Sequence, residues 1–317
     1  MMKRLLRLCI VLLMWPLTIS AQDCDYETAD SLFVVDVLKN APAEPLYFAR
    51  QLMGHPYVAH TLEVNAKGNE RLVVNTRELD CTTLVENVVA LTLCAQNNER
   101  TFADFTRYLK LLRYRQGIID GYPSRLHYFS DWIDDKTAMQ LVSEVQQTTA
   151  PFTAVQTLNI NYMSRHPQAY DALKAHPEFI TTIAQQEKQL TGRQYRFIPK
   201  GEVKNTQAMR QAVHDGDIIA ITCSKPGLDI AHLGFAVWRA DGLHLLNASM
   251  IHKKVVEEPM TLGQYLKKHQ SHTGIRVVKV ERGKWKEESG KRKVERGMWK
   301  EECGKRKVER GMRKKTF

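Results

Sequence analysis

The chain has 317 residues, 46 of them Lys or Arg and 35 Asp or Glu, for a formal charge of +11, with 43% hydrophobic residues. That apolar content excludes a wholly disordered chain and is enough for a sizeable core. The charge gives no argument for nucleic-acid binding, because it lies at the ends: residues 1–21 carry +3 and residues 281–317 carry +8, leaving residues 22–280 neutral.

In chain order, "MMKRLLRLCIVLLMWPLTISA" (1–21) has a basic start, an apolar run from Leu8 to Leu17 and a small residue, Ala21, at its close. This is the pattern of a secretory signal peptide cleaved after Ala21. The run falls short of the about 20 residues needed to span a bilayer, so no stable membrane insertion is expected. Cys24 lacks the small preceding residue of a lipobox. Residues 28–53 read as helix interrupted by Pro42 and Pro45. "HTLEVNAKGNERLVVNT" (60–76) alternates around a Lys-Gly-Asn turn and predicts a hairpin.

The stretch "ELDCTTLVENVVAL" (78–91) then sets Cys81 immediately before Leu84, Val85, Val88 and Leu91, which recur at helical spacing. Asp80 or Thr83 can cap this helix, and Thr83-x-x-Glu86 has the form of a capping box. A cysteine in the first turn has two readings: a packed core thiol, or a nucleophile whose thiolate the helix N-terminus favours. Cys94 lies on the same helix about 20 Å away, too far for a disulfide with Cys81. No CxxC and no Cys/His cluster of zinc spacing occurs, so no metal or cofactor is expected.

Residues 101–148 read as mostly helical, with "GYPSRLHYFSDWIDD" dense in aromatic and polar side chains. Residues 168–190 read as helix again. After Gly216 the pattern changes to strands: "DGDIIAITCS", "IAHLGFAVW", "LHLLNASM" and "GIRVVKV". Helices followed by an antiparallel meander give an α+β class.

A thiol nucleophile needs a base, and the base an orienter. In "IAHLGFAVW", His232 shares a strand face with Gly234 and Ala236, while Leu233, Phe235 and Val237 form the opposite face. The two small residues leave space beside His232 for a helix end or a substrate; the alternative is a half-buried structural histidine. Asn247, on the following strand, can accept from imidazole Nδ1–H, with His244 and His252 as competing orienters.

"LDCTTLVE", "DGDIIAI", "AHLGFAV" and "GLHLLNAS" together resemble the NlpC/P60 cysteine hydrolases. "GHPYVAHTLE", "GYPSRLHYFSDW" and "NYMSRHPQAY" narrow the resemblance to the DUF1460 branch, the N-acetylmuramoyl-L-alanine amidase-like proteins, over about residues 30 to 280. The resemblance implies a papain-like NlpC/P60 fold, with the nucleophile at a helix N-terminus packed on an antiparallel sheet. It implies Cys81 as nucleophile, His232 as base, Asn247 as third member and Tyr57 at the oxyanion. It also implies an activity: hydrolysis of the N-acetylmuramoyl–L-alanine amide of muropeptides, anhydro-muropeptides in particular; the signal-peptide pattern gives the expected location, the periplasm or outside the cell. Relatives commonly carry His where this chain has Asn247.

Tyr122, Arg125, His127 and Tyr128 are candidate substrate-binding residues, able to stack on sugar and pair with acids; the packing of a helical hairpin explains them equally. A γ-D-glutamyl–diamino acid endopeptidase and a non-catalytic glycan-binding protein are the competing functions. The domain reading is signal peptide 1–21, catalytic domain 22–280 and a basic tail 281–317. That tail repeats with period 14 (VERGKWKEESGKRK, VERGMWKEECGKRK) and has almost no core side chains, so it is expected to be disordered.

Overall fold

Continuous apolar runs in the C-terminal half form strands covered on both faces. In a computed structural model, residues 24–63 and 69–282 are described. The expected signal peptide, and the repeat tail beyond Arg282, lie outside them. The helices are α1 (Thr28–Leu38), α2 (Pro45–Gln51), α3 (Cys81–Gln96), α4 (Phe102–Arg113), α5 (Phe129–Ala138), α6 (Tyr162–Arg165), α7 (Asp171–Ala175), α8 (Phe179–Leu190), α9 (Gln207–Ala212) and α10 (Leu262–Lys268). The strands are β1 (Cys24–Asp25), β2 (Leu72–Val73), β3 (Val142–Glu144), β4 (Ala154–Thr157), β5 (Gln194–Pro199), β6 (Ile218–Cys223), β7 (Ile230–Trp238), β8 (Leu243–Ser249), β9 (Lys254–Glu257) and β10 (His272–Val280).

The main sheet runs β4-β5-β10-β6-β7-β8-β9, with β3 also pairing on β10, and all of its pairings are antiparallel. The expected meander holds for β6 to β8, and β9 extends it. The last strand, β10, instead returns to the other edge of β6 and separates it from β5. The α+β class is as the sequence implies. The hairpin expected over 60–76 is not formed among the described residues: Leu72–Val73 pairs parallel with Cys24–Asp25 instead. Strands β3, β4, β5 and β9 and helices α9 and α10 were not expected. They are short, and the partners of β3, β4 and β5 lie far away in sequence.

Alternation along β7 sorts its side chains between two cores. Leu233, Phe235 and Val237 pack with Leu84, Val85, Val88 and Leu91 of α3. Ala236 packs on the other face with Ile219, Ile221, Leu262 and Leu266. Helix α3 is buried from Thr83 to Ala95. At roughly 1.5–3 kcal/mol for each large apolar side chain, it is a main anchor of the fold. Its depth also explains why Cys94 is buried.

Candidate active site

Helix α3 begins at Cys81 because Asp80 and Thr83 cap each other. The Thr83 N–H donates to Asp80 Oδ1 at 2.8 Å and the Asp80 N–H donates to Thr83 Oγ1 at 2.9 Å. This reciprocal box replaces the Thr83–Glu86 box expected from spacing. Glu86 is instead buried and accepts from Arg113 Nε at 2.7 Å. The capped start fixes Cys81 as the first helical residue, at the positive end of the helix dipole.

The approach to the site is pinned from both sides. The Leu79 N–H donates to the Pro56 carbonyl (3.0 Å), the Val58 N–H to the Leu79 carbonyl (3.1 Å), and the Tyr57 N–H to the Lys253 carbonyl (3.0 Å). Tyr57 is thus strung between the segment leading into Cys81 and the turn before β9. Burial raises its phenol above the ordinary value, and the charges of Cys81 and Asp80 add to this. The hydroxyl therefore stays protonated.

His232 is re-aimed by a bulge. Ile221 pairs with His232 and Thr222 with Ile230, so Ala231 is the extra residue. On the other side, the ladder between β7 and β8 ends at Phe235 and Leu246. Past that point His232 Nε2 meets Asn247 Oδ1 at 3.0 Å. The nitrogen is Nε2, not the Nδ1 expected from the sequence, because Asn247 reaches the ring from its outer end. The space expected beside Gly234 is taken up: a Cβ there would lie 2.5 Å from the Leu246 carbonyl oxygen and 2.8 Å from the Leu245 side chain. The glycine admits β8, not a ligand.

Helix α3 packs on β7, and the Cys81 sulfur faces the backbone N–H of Leu233, the residue after His232. Burial pushes the Cys81 thiol up to about 12, and Asp80 adds to it; the Leu233 N–H and the Thr82 hydroxyl act in the opposite direction. Burial likewise holds His232 below the ordinary histidine value, against the bond from Asn247 and the charge of Glu258. The resting pair is therefore a thiol and a neutral imidazole. The thiolate expected from the helix N-terminus is outweighed by desolvation and by the adjacent carboxylate.

The competing orienters are engaged elsewhere. His244 bonds the Glu258 carbonyl through Nδ1 and Asp241 through Nε2, both at 2.9 Å. His252 Nε2 bonds Glu258 Oε2 at 3.1 Å. Two neighbours of the site carried no sequence signal. Glu258 is buried against Asn247, and the Tyr265 ring lies 6.4 Å from the His232 ring at 29°.

Tyr122 and Arg125 line a cavity of about 300 Å³ with Glu63, Glu70, His176 and Phe179, whose wall includes neither Cys81 nor His232. Arg125 binds Glu70 (3.0 and 2.9 Å) and Glu63 (2.6 Å). His127 Nε2 bonds the Tyr122 carbonyl at 3.0 Å, and burial, with the Arg125 charge, pushes its imidazole down to about 3. The Tyr128 hydroxyl donates to Glu187 at 2.6 Å and accepts from the Met163 N–H at 3.0 Å. The aromatic-polar density of this stretch thus builds a local core in which Tyr122 and Tyr128 pack with Leu158, Ile160 and Met163.

A model of the AmiA-like, N-acetylmuramoyl-L-alanine amidase-like family matches residues 47–275. An N-acetylmuramoyl-L-alanine amidase from Bacteroides uniformis is 40% identical, with a TM-score of 0.71 over 76% of this chain and 100% of that one. A proposed xylanase from Bacteroides fragilis is 42% identical, with a TM-score of 0.69 over 74% and 99%. A DUF1460 protein from Legionella pneumophila, 21% identical, shares the fold with a TM-score of 0.62 over 80% and 94%. No curated protein matches the chain.

Proposed function

The chain belongs to the N-acetylmuramoyl-L-alanine amidase-like family, and from that premise we propose that it is a cysteine-dependent peptidoglycan amidase of papain-like NlpC/P60 type. Its substrate is the N-acetylmuramoyl–L-alanine amide of muropeptides, anhydro-muropeptides in particular. The observation that carries this reading is the His232–Asn247 contact of 3.0 Å between two inner strands of the sheet, with Cys81 at a helix start facing the N–H of Leu233, the residue after His232.

The reaction follows from the resting protonation states. His232 Nδ1 takes the Cys81 proton as the sulfur bonds to the lactyl carbonyl carbon. The carbonyl oxygen gains the negative charge, and the Tyr57 hydroxyl donates to it. The C–N bond breaks as the imidazolium gives its proton to the L-alanine nitrogen, leaving a thioester. His232 then deprotonates a water, which attacks the thioester; the sulfur leaves and recovers the proton. Because the site holds a neutral pair at rest, proton transfer accompanies attack instead of preceding it. Asn247 keeps the imidazole in the tautomer that can act this way.

Tyr122 and Arg125 are assigned to the sugar-bearing end of the substrate, with His127 and Tyr128 as their buried support. The assignment rests on the cavity of about 300 Å³ that Tyr122 and Arg125 line. Residues 1–21 support action outside the cytoplasm. A glycosidase reading is not carried over from the Bacteroides fragilis relative. Most glycoside hydrolysis uses two carboxylates facing one bond, and beside Cys81 both neighbouring carboxylates are engaged: Asp80 caps α3 and Glu258 is bonded to Asn247 and His252.

Digestion of defined anhydro-muropeptides followed by mass analysis tests the reading. Free anhydro-sugar with an intact peptide starting at L-alanine is the expected product. Cleavage after the γ-D-glutamyl residue instead would establish the endopeptidase. An unchanged substrate would leave a glycan-binding protein.

A further inference from the structure

We infer that Glu258 is a fourth member of the site, a positioning residue that sets the His232 tautomer through Asn247. The inference rests on Cys81 and His232 acting as nucleophile and base, but not on which amide is cut.

Glu258 follows β9 and is 1% exposed. Its backbone N–H donates to the Leu245 carbonyl at 2.8 Å, and its own carbonyl accepts from His244 Nδ1 at 2.9 Å. These bonds lock the residue against β8. Its carboxylate then has two partners: Oε1 accepts from Asn247 Nδ2 at 3.1 Å and Oε2 from His252 Nε2 at 3.1 Å. No Arg or Lys pairs with it among the described residues' salt bridges. A carboxylate taken out of water with so little cationic support is costly, and a fold that needed only packing there would use an apolar residue.

The chemistry of that carboxylate is what the site uses. An amide side chain can present either end to a neighbour, since oxygen and nitrogen have nearly the same shape. An ionised carboxylate only accepts. Facing Glu258, Asn247 must turn its NH₂ toward the carboxylate, and its oxygen must then point at His232. That oxygen also only accepts, so His232 must carry its hydrogen on Nε2 and keep its lone pair on Nδ1. Glu258, at 3.1 Å the nearer of the two acceptors on this NH₂ (the Leu245 carbonyl lies at 3.5 Å), therefore sets two successive orientations. Turned the other way, Asn247 would give an N–H to Nε2 and select the Nδ1–H tautomer, which cannot take the Cys81 proton.

Two substitutions test this in the full chain. In Glu258→Gln, the new amide supports either chain of orientations, the reversed one losing only the long 3.5 Å bond from Asn247 Nδ2 to the Leu245 carbonyl. Nitrogen-15 spectra of the His232 ring should then show both tautomers, where the native protein shows Nε2–H alone, and kcat should fall about twofold at unchanged KM. Glu258→Met removes the acceptor. There kcat, and the rate of Cys81 alkylation by iodoacetamide, should fall about tenfold, as expected if the competent orientation drops to about a tenth of the population. Combined with Asn247→Ala, neither substitution should reduce kcat further, because the path through Asn247 is already cut. A single Nε2–H tautomer persisting in Glu258→Gln, or losses that multiply with Asn247→Ala, would overturn the inference. If Glu258→Met does not fold, the Glu258→Gln spectra decide alone. The spectra and the alkylation rate need no substrate, so they separate this inference from the choice of bond.

Discussion

Gly234 and Leu246 meet backbone to backbone: a Cβ on residue 234 would sit 2.5 Å from the Leu246 carbonyl oxygen. This contact lets β8 cross close over β7 at the point where their ladder stops, and it brings Asn247 within 3.0 Å of His232. Gly234→Ala should therefore lose activity as well as stability. The overlap is with backbone, so β8 must move. A cost of about 3 kcal/mol is expected, or a fall in Tm on the order of 10 °C. Melting curves and turnover measured on the same preparation check both. Unchanged turnover would show that the crossing does not set the distance between His232 and Asn247.

Cys81→Ser should abolish turnover while leaving Tm nearly unchanged, because serine has almost the same shape and is a far weaker nucleophile. Cys94→Ser and Cys223→Ser should retain most activity, since both thiols are buried away from the site. With the Cys81 thiol pushed up to about 12, alkylation should be slow at neutral pH and rise steadily into alkali. A fast reaction with a plateau near pH 7 would instead reveal a preformed thiolate.

Asn247→Ala should lower kcat by less than His232→Ala does, because the imidazole still visits the competent tautomer. Asn247→His should retain activity: one ring nitrogen can donate to Glu258 while the other accepts from His232. His244→Ala should cost stability more than turnover, as its ring bonds Asp241 and the Glu258 carbonyl. Steady-state kinetics on the three variants separate these roles. A silent Asn247→Ala beside a damaging His244→Ala would move the orienter to His244.

The His272 ring lies 4.5 Å from the His269 ring, and its Nδ1 is buried without a hydrogen-bond partner among the described residues. Burial, then the charges of His269, His232, Lys225 and Lys200, pushes its imidazole from 6.5 down to about 4. The folded form thus stays neutral where the unfolded chain is already protonated. Between pH 6.5 and 4 the unfolded state binds more protons, so this residue's contribution to stability falls as the pH falls. The loss is at most about 3 kcal/mol. His272→Phe should flatten that part of the curve of Tm against pH. An unaltered slope would place the acid sensitivity elsewhere.

Features that depend on neighbouring residues are legible in the sequence. The helix starting at Cys81 follows from a cap and a 3.6-residue rhythm. The strands of His232 and Asn247 follow from β-rich runs bounded by turns. What escapes is what distant pairing decides. Glu258 looks like one more acid in "VVEEPM" until β9 sets it beneath Asn247. The ring nitrogen that Asn247 meets depends on a bulge at Ala231 that no local pattern announces. The stretch around Tyr122 has the composition of a binding loop, yet most of its polar atoms bond other parts of the same protein; composition alone does not tell a solvated polar side chain from a paired one. The thiol's protonation state is missed for a related reason: the dipole is visible in the sequence, but the desolvation opposing it comes from tertiary packing.

The position of β10 has a consequence for how the molecule comes into being. Residues His272–Val280 lie between β5 and β6, with strands on either side. A ribosome or a translocation channel releases this segment after every other strand of the sheet. Until then β5 and β6 face each other across a gap with unpaired edges, a state open to wrong pairing. Closing the gap joins Gly274 to Pro199 and Val278 to Ile218, so the sheet can be completed only after synthesis of the domain has finished. A chain stopped even ten residues short of Val280 would lack the strand that joins its two halves, and the orderly folding of everything before it would wait on a partner that never arrives.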